Sequence, residues 1–422
     1  QIISCTADFY EKIIEKTSTG FAAAHVFEPP GPSGPNGEPS GAGGVYTVRL
    51  TIRDRSGAEA QSTQQITVNP FTGTTYYVRA DGNDSNIGTS PTANTAWKTY
   101  NKGFSGASAG ARVLFRRGDT FPYTSRVGLG SNAMIAAYGT GDLPIIQYSG
   151  TGSGGSEAPI RVFGGTGSSV VDLHFNLEST PGGNRAYGFS LWNAANFLLL
   201  RVTIEKYGDC TGYANGLFVV DSTLTDARLD NLYFNGSRLV LLNNQLGPCG
   251  SHNVYGSHMV GAVIQGNTLS DPLRGLNIRF GSNHETSWNT VASDNVFDGG
   301  GAWLAVHMGI SSGSWDPAQH FENLLFERNT IRNASVLILL NSDFRDTVIR
   351  GNDFQGGRAF EIGGGNKIPD DSGFDGPKGL WFYDNVISNT GELWYTNWAP
   401  SSEEVYLWDN TVNGSSIPGS PP

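Results

Sequence analysis

A phenol, a guanidinium and an imidazole stand at matching places in three short runs: Tyr255 in NVYGS, Arg279 in NIRFG and His307 in LAVHMG. Together such groups bind a carboxylate and move a proton, because Arg grips a carboxylate with two parallel N–H bonds while His and Tyr exchange protons. His258, three residues beyond Tyr255, is a further candidate base. Asn253 and Asn277 each precede their Tyr or Arg by two residues, where amide donors would meet charge developing on an oxygen. The chemistry that uses this set is elimination at a 4-linked uronic acid. Its C5 proton becomes acidic only when the neighbouring carboxylate is neutralised, which is the part for Arg279; Tyr255, His258 and His307 are candidates for base and acid, with no assignment among them.

Further candidates surround this set. His252 opens the same run with inward parity, which suits either a buried histidine or an orienting contact. Arg274, in the turn DPLRGL, is within reach of a second substrate carboxylate, and Lys206 with Tyr207, in IEKYGDC, falls two coils earlier at a distal subsite or on solvated surface. Two insertions, GISSGSWDPAQHFEN after His307 and GGGNKIPDDSGFDGPKG after Glu361, leave the end of the same strands and would wall a groove. They bring Trp315, His320 and Lys367 as sugar contacts beside Glu361. Asp370, Asp371 and Asp375 offer oxygen ligands for calcium without matching an EF-hand loop, or form a solvated acidic turn, so no cofactor is expected and calcium is the alternative. Trp192, Trp303, Trp394, Trp398 and Trp408 either stack on sugars or cap the end of the fold.

The elements that position these groups come from a repeat. Runs of the form apolar-x-polar-Asn-x-apolar align Ser222, Asn244, Asn267, Asn295, Asn329, Asn352, Asn385 and Asn410, with spacings by subtraction of 22, 23, 28, 34, 23, 33 and 25. A steady minimum with variable excess is the mark of a solenoid whose coils have one circumference and whose corners accept loops. Three short strands plus turns account for roughly 22 residues per coil. Stacked Asn side chains can bond along such a ladder. A second strand per coil places Leu191, Val219, Val254, Ile278, Val306, Leu339 and Ile362 inward, and alternation then points Trp192, Val220, Tyr255, Arg279, His307, Leu340 and Gly363 outward. The outward column just before it takes Asn253, Asn277, Ala305 and Glu361. The expected fold is all-β, a right-handed parallel β-helix over residues 70–422.

Residues 1–69 read differently. GGVYTVRLTIRDRSGAEAQSTQQITV is two alternating runs joined by a tight turn, a β-hairpin of a small sandwich. With AAAHVFE upstream it resembles the second half of a PKD domain, which implies an immunoglobulin-like module. The run from TTYYVRADGNDSNIG to the strand ARVLFRRGDTF, with a short helix around Ala96 to Gly103, resembles the capping coil of secreted β-helix proteins that act on polysaccharides. NVYGSHMVGAVIQGNTL followed by LNIRFGS is similar to the catalytic coils of polysaccharide lyase family six, the alginate lyases and chondroitinase B type. That likeness implies Arg279 as the charge-neutralising arginine, with alginate the leading substrate; His258 stands where the family has its lysine base, and Asn253 where it has a calcium-binding glutamate.

Composition sets outer bounds. Across 422 residues, 57 Gly and 15% charged residues exclude a helical bundle and a disordered chain. A net charge of -11 argues against a nucleic-acid partner, which needs a basic face. No run is apolar enough to span a membrane and no targeting segment opens the chain, so a soluble chain, mature or trimmed, is expected; the resemblance to secreted β-helix proteins implies secretion, and a monomer is expected. Cys210 and Cys249 fit either a bridge between layers or two core thiols. Three further readings compete with the lyase. A β-helix glycoside hydrolase needs two carboxylates about 5.5 or 6.5–9.5 Å apart, yet the outward columns supply Glu361 alone, with Asp209, Asp221 and Asp230 scattered earlier. A uronan C5-epimerase shares the first proton transfer, and an adhesin or tail-type binding protein would use the Trp face without chemistry. On the elimination reading, Arg279→Ala abolishes turnover while circular dichroism shows the fold retained; unchanged activity removes Arg279 from the mechanism.

Overall fold

The computed structural model describes residues 2–11, 14–19, 21–28, 34–54, 56–124, 128–152, 157–273, 277–281, 286–309, 320–341, 343–362, 378–388, 394–396 and 405–417. From Thr75 to Val412 the strands of successive coils pair in parallel, as a parallel β-helix. One coil shows how. The strand Cys210–Val220 lies on a first face up to Asn215, bends at Gly216, and continues on a second face from Leu217. Gly216 holds φ at 102°, and a Cβ there would meet the Asn196 backbone 3.1 Å away, so the bend requires glycine. Asp221 turns the next corner with a left-handed φ of 49°, and Thr223–Thr225 forms the third face. The chain then returns to the first face at Leu232–Leu242.

The left-handed corner recurs as Asp172, Arg201, Asp221, Asn243, Asp294, Arg328, Asp384 and Asp409, residue types among which Asn and Asp tolerate this conformation best. The asparagine one step later turns inward. Asn244, Asn267, Asn295, Asn329, Asn352, Asn385 and Asn410 are buried and bonded in series, each Nδ2 before the last donating to the next Oδ1 at 2.9–3.0 Å. Each Nδ2 also donates to a main-chain carbonyl, as Asn295 does to Ile264 at 2.9 Å. Ser222 starts the ladder by donating its N–H to Asn244 Oδ1. The repeat drawn from the sequence is thus a hydrogen-bonded ladder, beside which apolar side chains stack, such as Phe297 on Phe326 and Phe321 on Phe344.

Both ends are closed. The helix Tyr100–Gly106 begins later than expected because the Thr99 side chain caps it, accepting from the Lys102 N–H at 3.2 Å, and it buries Tyr100 and Phe104 in the first coils. At the other end Trp408 stacks on Tyr383 at 4.2 Å, and Ser415–Ile417 folds back antiparallel on Asn410–Val412. Trp408 is a packing residue.

The expected N-terminal sandwich is corrected. Ile2–Glu11, Ile14–Thr19, Gly44–Asp54 and Glu59–Val68 form a single four-stranded antiparallel sheet, with Glu59–Val68 at one edge. That edge strand, rich in Gln, Ser and Thr, is exposed along almost its whole length, so it offers no apolar layer for a second sheet to bury. Between sheet and solenoid the chain runs along the second face. Ala22, Ala24 and Val26 pack on the outward apolar stripe Leu114, Ala136, Val171, Leu200, Val220 and Leu242. Glu28 pairs with Arg201 at 2.5 Å, and Tyr77 donates to Glu38 at 3.0 Å. No described helix is long and apolar enough to cross a membrane.

Asn295 accepts from the N–H and Nδ2 of Asn267 and donates to Ile264 and Asn329. Asn295→Ala leaves these buried partners orphaned and is expected to cost roughly 2–4 kcal/mol, read as a lower urea midpoint with the slope m unchanged.

Candidate active site on the first face

Parallel register places one column along the first face: Ser190, Thr211, Tyr233, Tyr255, Arg279, His307, Leu339 and Glu361. Tyr255, Arg279 and His307 therefore occupy three successive coils, about 4.8 Å apart. The Arg279 guanidinium lies over the Tyr255 ring, 4.6 Å from its centre. Burial lowers the Arg279 pKa, and the neighbouring Tyr255 works in the opposite direction. Arg279 and His307 point away from the core, yet only 3% and 8% of their surfaces are exposed. The column differs from expectation on either side. Val219 and Val220 belong to the second face, paired with Leu199 and Leu200. Leu339 faces outward, where it packs with Leu304 and Val336, and Leu340 faces the core. Trp192 is outward as expected but in the neighbouring column, which runs Phe163, Trp192, Tyr213, Asn235 and His258. His258 sits past an irregularity between Phe234 and Asn235, with Nε2 3.0 Å from the Thr286 carbonyl oxygen.

The amides expected to meet substrate do not. Asn253 and Asn277 are fully buried. They belong to an inner ladder in which the Tyr207 hydroxyl donates to Asn231 at 2.5 Å, Asn231 to Asn253 at 2.5 Å and Asn253 to Asn277 at 2.8 Å. Alternation fails here because Asn253 lies at a bend, and the pleat starts only at Val254. Tyr207 is likewise buried rather than part of a subsite. With Asn253 turned in, His252 turns out, against its expected inward parity. Lys206 occupies a left-handed corner with its N–H on the Thr225 carbonyl, on the return from the third face. Arg274, Trp315, Lys367, Asp370, Asp371 and Asp375 lie outside the described residues, as do the side chains of His320 and Glu361. Among the described residues, no group of three or more His, Cys, Asp and Glu is placed to hold a metal.

The structure assembles a second group, where the chain returns to the first face. Asp209 directly precedes the strand Cys210–Val220, Asp230 lies two residues before Leu232–Leu242, and His252 two residues before Val254–Val260. Asp230 Oδ1 accepts from the His252 N–H at 2.9 Å and lies 2.9 Å from His252 Nδ1, while Ser251 Oγ lies 2.7 Å from the same nitrogen. The His252 ring meets the Tyr255 ring edge-on at 5.0 Å, joining this group to the column. Burial and then the Asp230 charge push the Asp209 carboxyl up to about 8, and its Oδ1 is buried without a hydrogen-bond partner. Tyr187 is raised by burial and by both carboxylates. Tyr213 is pushed up to about 12, first by burial and then by its hydrogen bond with Tyr233. A carboxyl whose pKa is raised beside a second carboxyl is the arrangement of an acid paired with a base or nucleophile.

Asp209, Asp230 and His252 were readable in part. They recur at steps of 21 and 22, the same circumference as the asparagine ladder, but at corner positions that the strand alignment does not reach. Tyr213 and Tyr233 do not emerge from the sequence because Val219 and Val220 stand for this coil there, whereas the first-face register runs through Thr211 and Gly212. Cys210 and Cys249 are both buried free thiols, the first held well above its usual pKa and the second pushed up to about 12, mainly by burial.

No family model and no curated protein matches the chain. Solved structures resemble it at 11–14% identity. The Dettilon tailspike protein aligns with a TM-score of 0.44 at 11% identity over 71% of this chain, which spans 62% of the tailspike chain. The A-module of an Azotobacter vinelandii mannuronan C-5 epimerase aligns at 0.44 and 14% over 74% of this chain and 94% of its own. The catalytic domain of a GH87 α-1,3-glucanase aligns at 0.49 and 12% over 87% and 75%. At such scores the likeness carries no functional weight.

Asp209 offers a direct check. Its ordinary value is about 4 and its folded value about 8, so over that range the folded chain keeps a proton the unfolded chain has lost. Stability therefore declines as pH rises from about 4 through about 8. Asp209→Asn removes this contribution, so the Tm difference between about pH 5 and about pH 8 is expected to shrink relative to the wild type.

Proposed function

We propose that the protein is a carbohydrate-active β-helix enzyme that hydrolyses a glycosidic bond at Asp209 and Asp230. The reading rests on one observation: two carboxyl-bearing corners lie on adjacent coils, Asp209 before Cys210–Val220 and Asp230 before Leu232–Leu242, with the Asp209 pKa raised by burial and by the Asp230 charge. The Asp209 carboxyl gives its proton to the glycosidic oxygen as the bond to the anomeric carbon breaks, and the leaving sugar departs as an alcohol. Asp230 takes a proton from the water that adds to the anomeric carbon. In the retaining variant it first adds to that carbon itself and is then displaced by water. His252, held on Asp230, orients that carboxylate. This reverses the order expected from sequence, where the carboxylates were scattered and the elimination set came first.

Elimination or C5 epimerisation at a uronate such as alginate remains the second reading, favoured by the Tyr255–Arg279–His307 register. The two readings separate on products. Incubation with uronic and neutral polysaccharides is expected to release reducing ends without the ultraviolet absorbance of an unsaturated sugar. Asp209→Asn and Asp230→Asn are each expected to lower kcat by at least about a hundredfold. The wild-type rate is expected to fall as pH rises through about 8, where Asp209 loses its proton. Ultraviolet-absorbing product, with activity surviving both substitutions, assigns the reaction to elimination.

A further inference from the structure

The first face carries an unbroken aromatic strip. Phe163, Trp192 and Tyr213 follow one another in register on three coils, and Tyr233 and Tyr255 continue on the next two in the adjoining column. Trp192 stacks on Tyr213 at 4.5 Å, Tyr213 meets Tyr233 at 5.6 Å, and Tyr233 stacks on Tyr255 at 5.3 Å. The inner rings are half-buried, whereas Trp192 and Phe163 are 44% and 57% exposed. Cations stand at both ends: Arg161 over Phe163 at 4.2 Å and Arg279 over Tyr255 at 4.6 Å. Phe163 and Trp192 expose much of their rings, and Tyr213, Tyr233 and Tyr255 add one phenol oxygen on each of the other three coils.

That spacing selects the occupant. Five coils span four steps, about 19 Å, and a pyranose unit advances along its chain by about one such step. Apolar ring edges alternating with hydroxyls complement sugar C–H faces and hydroxyls, whereas a nucleic acid would meet a chain of net charge -11. The carboxyl pair is central to the strip. Asp209 leads into the strand that bears Tyr213, and Asp230 into the strand that bears Tyr233. Trp192 and Phe163 extend the strip to one side of the pair, and Tyr255 with Arg279 extends it to the other.

We infer that this strip holds an extended polysaccharide of about four or more sugar units parallel to the solenoid axis, and that the enzyme cuts internal bonds of the chain. The position of the cut rests on the hydrolase reading; the binding does not. Binding is read first, by affinity electrophoresis of Asp209→Asn protein in gels containing alginate, polygalacturonate or xylan. At least one polymer is expected to retard it, and adding Phe163→Ala with Trp192→Ala is expected to weaken that retardation about tenfold. Retardation by none of the three, or retardation that both substitutions leave unchanged, overturns the strip. Wild-type protein with the retarding polymer is expected to lower viscosity well before reducing ends accumulate. Release of a single short product from the outset, with viscosity lagging, overturns internal cutting. Retardation through the strip without reducing ends from wild type leaves the strip standing and removes the hydrolase reading.

Discussion

The buried asparagine ladder is the interaction on which the rest of the fold depends. An amide side chain can accept from the coil before it and donate both to a carbonyl and to the coil after it, so a stack of them is saturated while lying in an apolar interior. From Ser222 to Asn410 each coil passes through this one fixed point. Its return path can then vary, as the steps of 22 to 34 residues show, without moving the strands out of register. Fixed register in turn fixes the face on which each side chain emerges, because a one-residue slip would turn a whole strand over.

A second ladder, Tyr207–Asn231–Asn253–Asn277, runs beneath the candidate site. It ties down the bends that precede three first-face strands. Asp230 and His252 are the residues immediately before Asn231 and Asn253, so the inner amides hold the backbone from which the outer acid and imidazole project. Buried polar groups thus support polar groups at the surface, which suits a site whose chemistry depends on fixed relative positions.

The faces divide the work. The second face is apolar outward and is covered by the segment carrying Ala22, Ala24 and Val26, which joins the N-terminal sheet to the solenoid. The first face instead shows aromatic edges, a guanidinium and carboxyls. At its entry corner, desolvation and the like charge of Asp230 together raise the pKa of Asp209 in a protein that is acidic overall.

Much of the architecture was legible in the chain itself. Recurrent asparagine with a steady minimum spacing identified the coils, and strict alternation within strands put Tyr255, Arg279 and His307 in one outward column. Both are local properties, set by the period of a β-strand and by the circumference of a coil. The N-terminal runs, alternating like a sandwich, could not reveal that the described strands form one sheet with an exposed edge strand, since that depends on what packs against them. Nor could alternation be carried around a corner, where Asn253 turns in and His252 turns out. The meeting of Asp209, Asp230 and His252 belongs to tertiary structure for the same reason. They stand on bends, whose side chains take their direction from the path of the returning backbone and not from the two-residue rhythm of the strand.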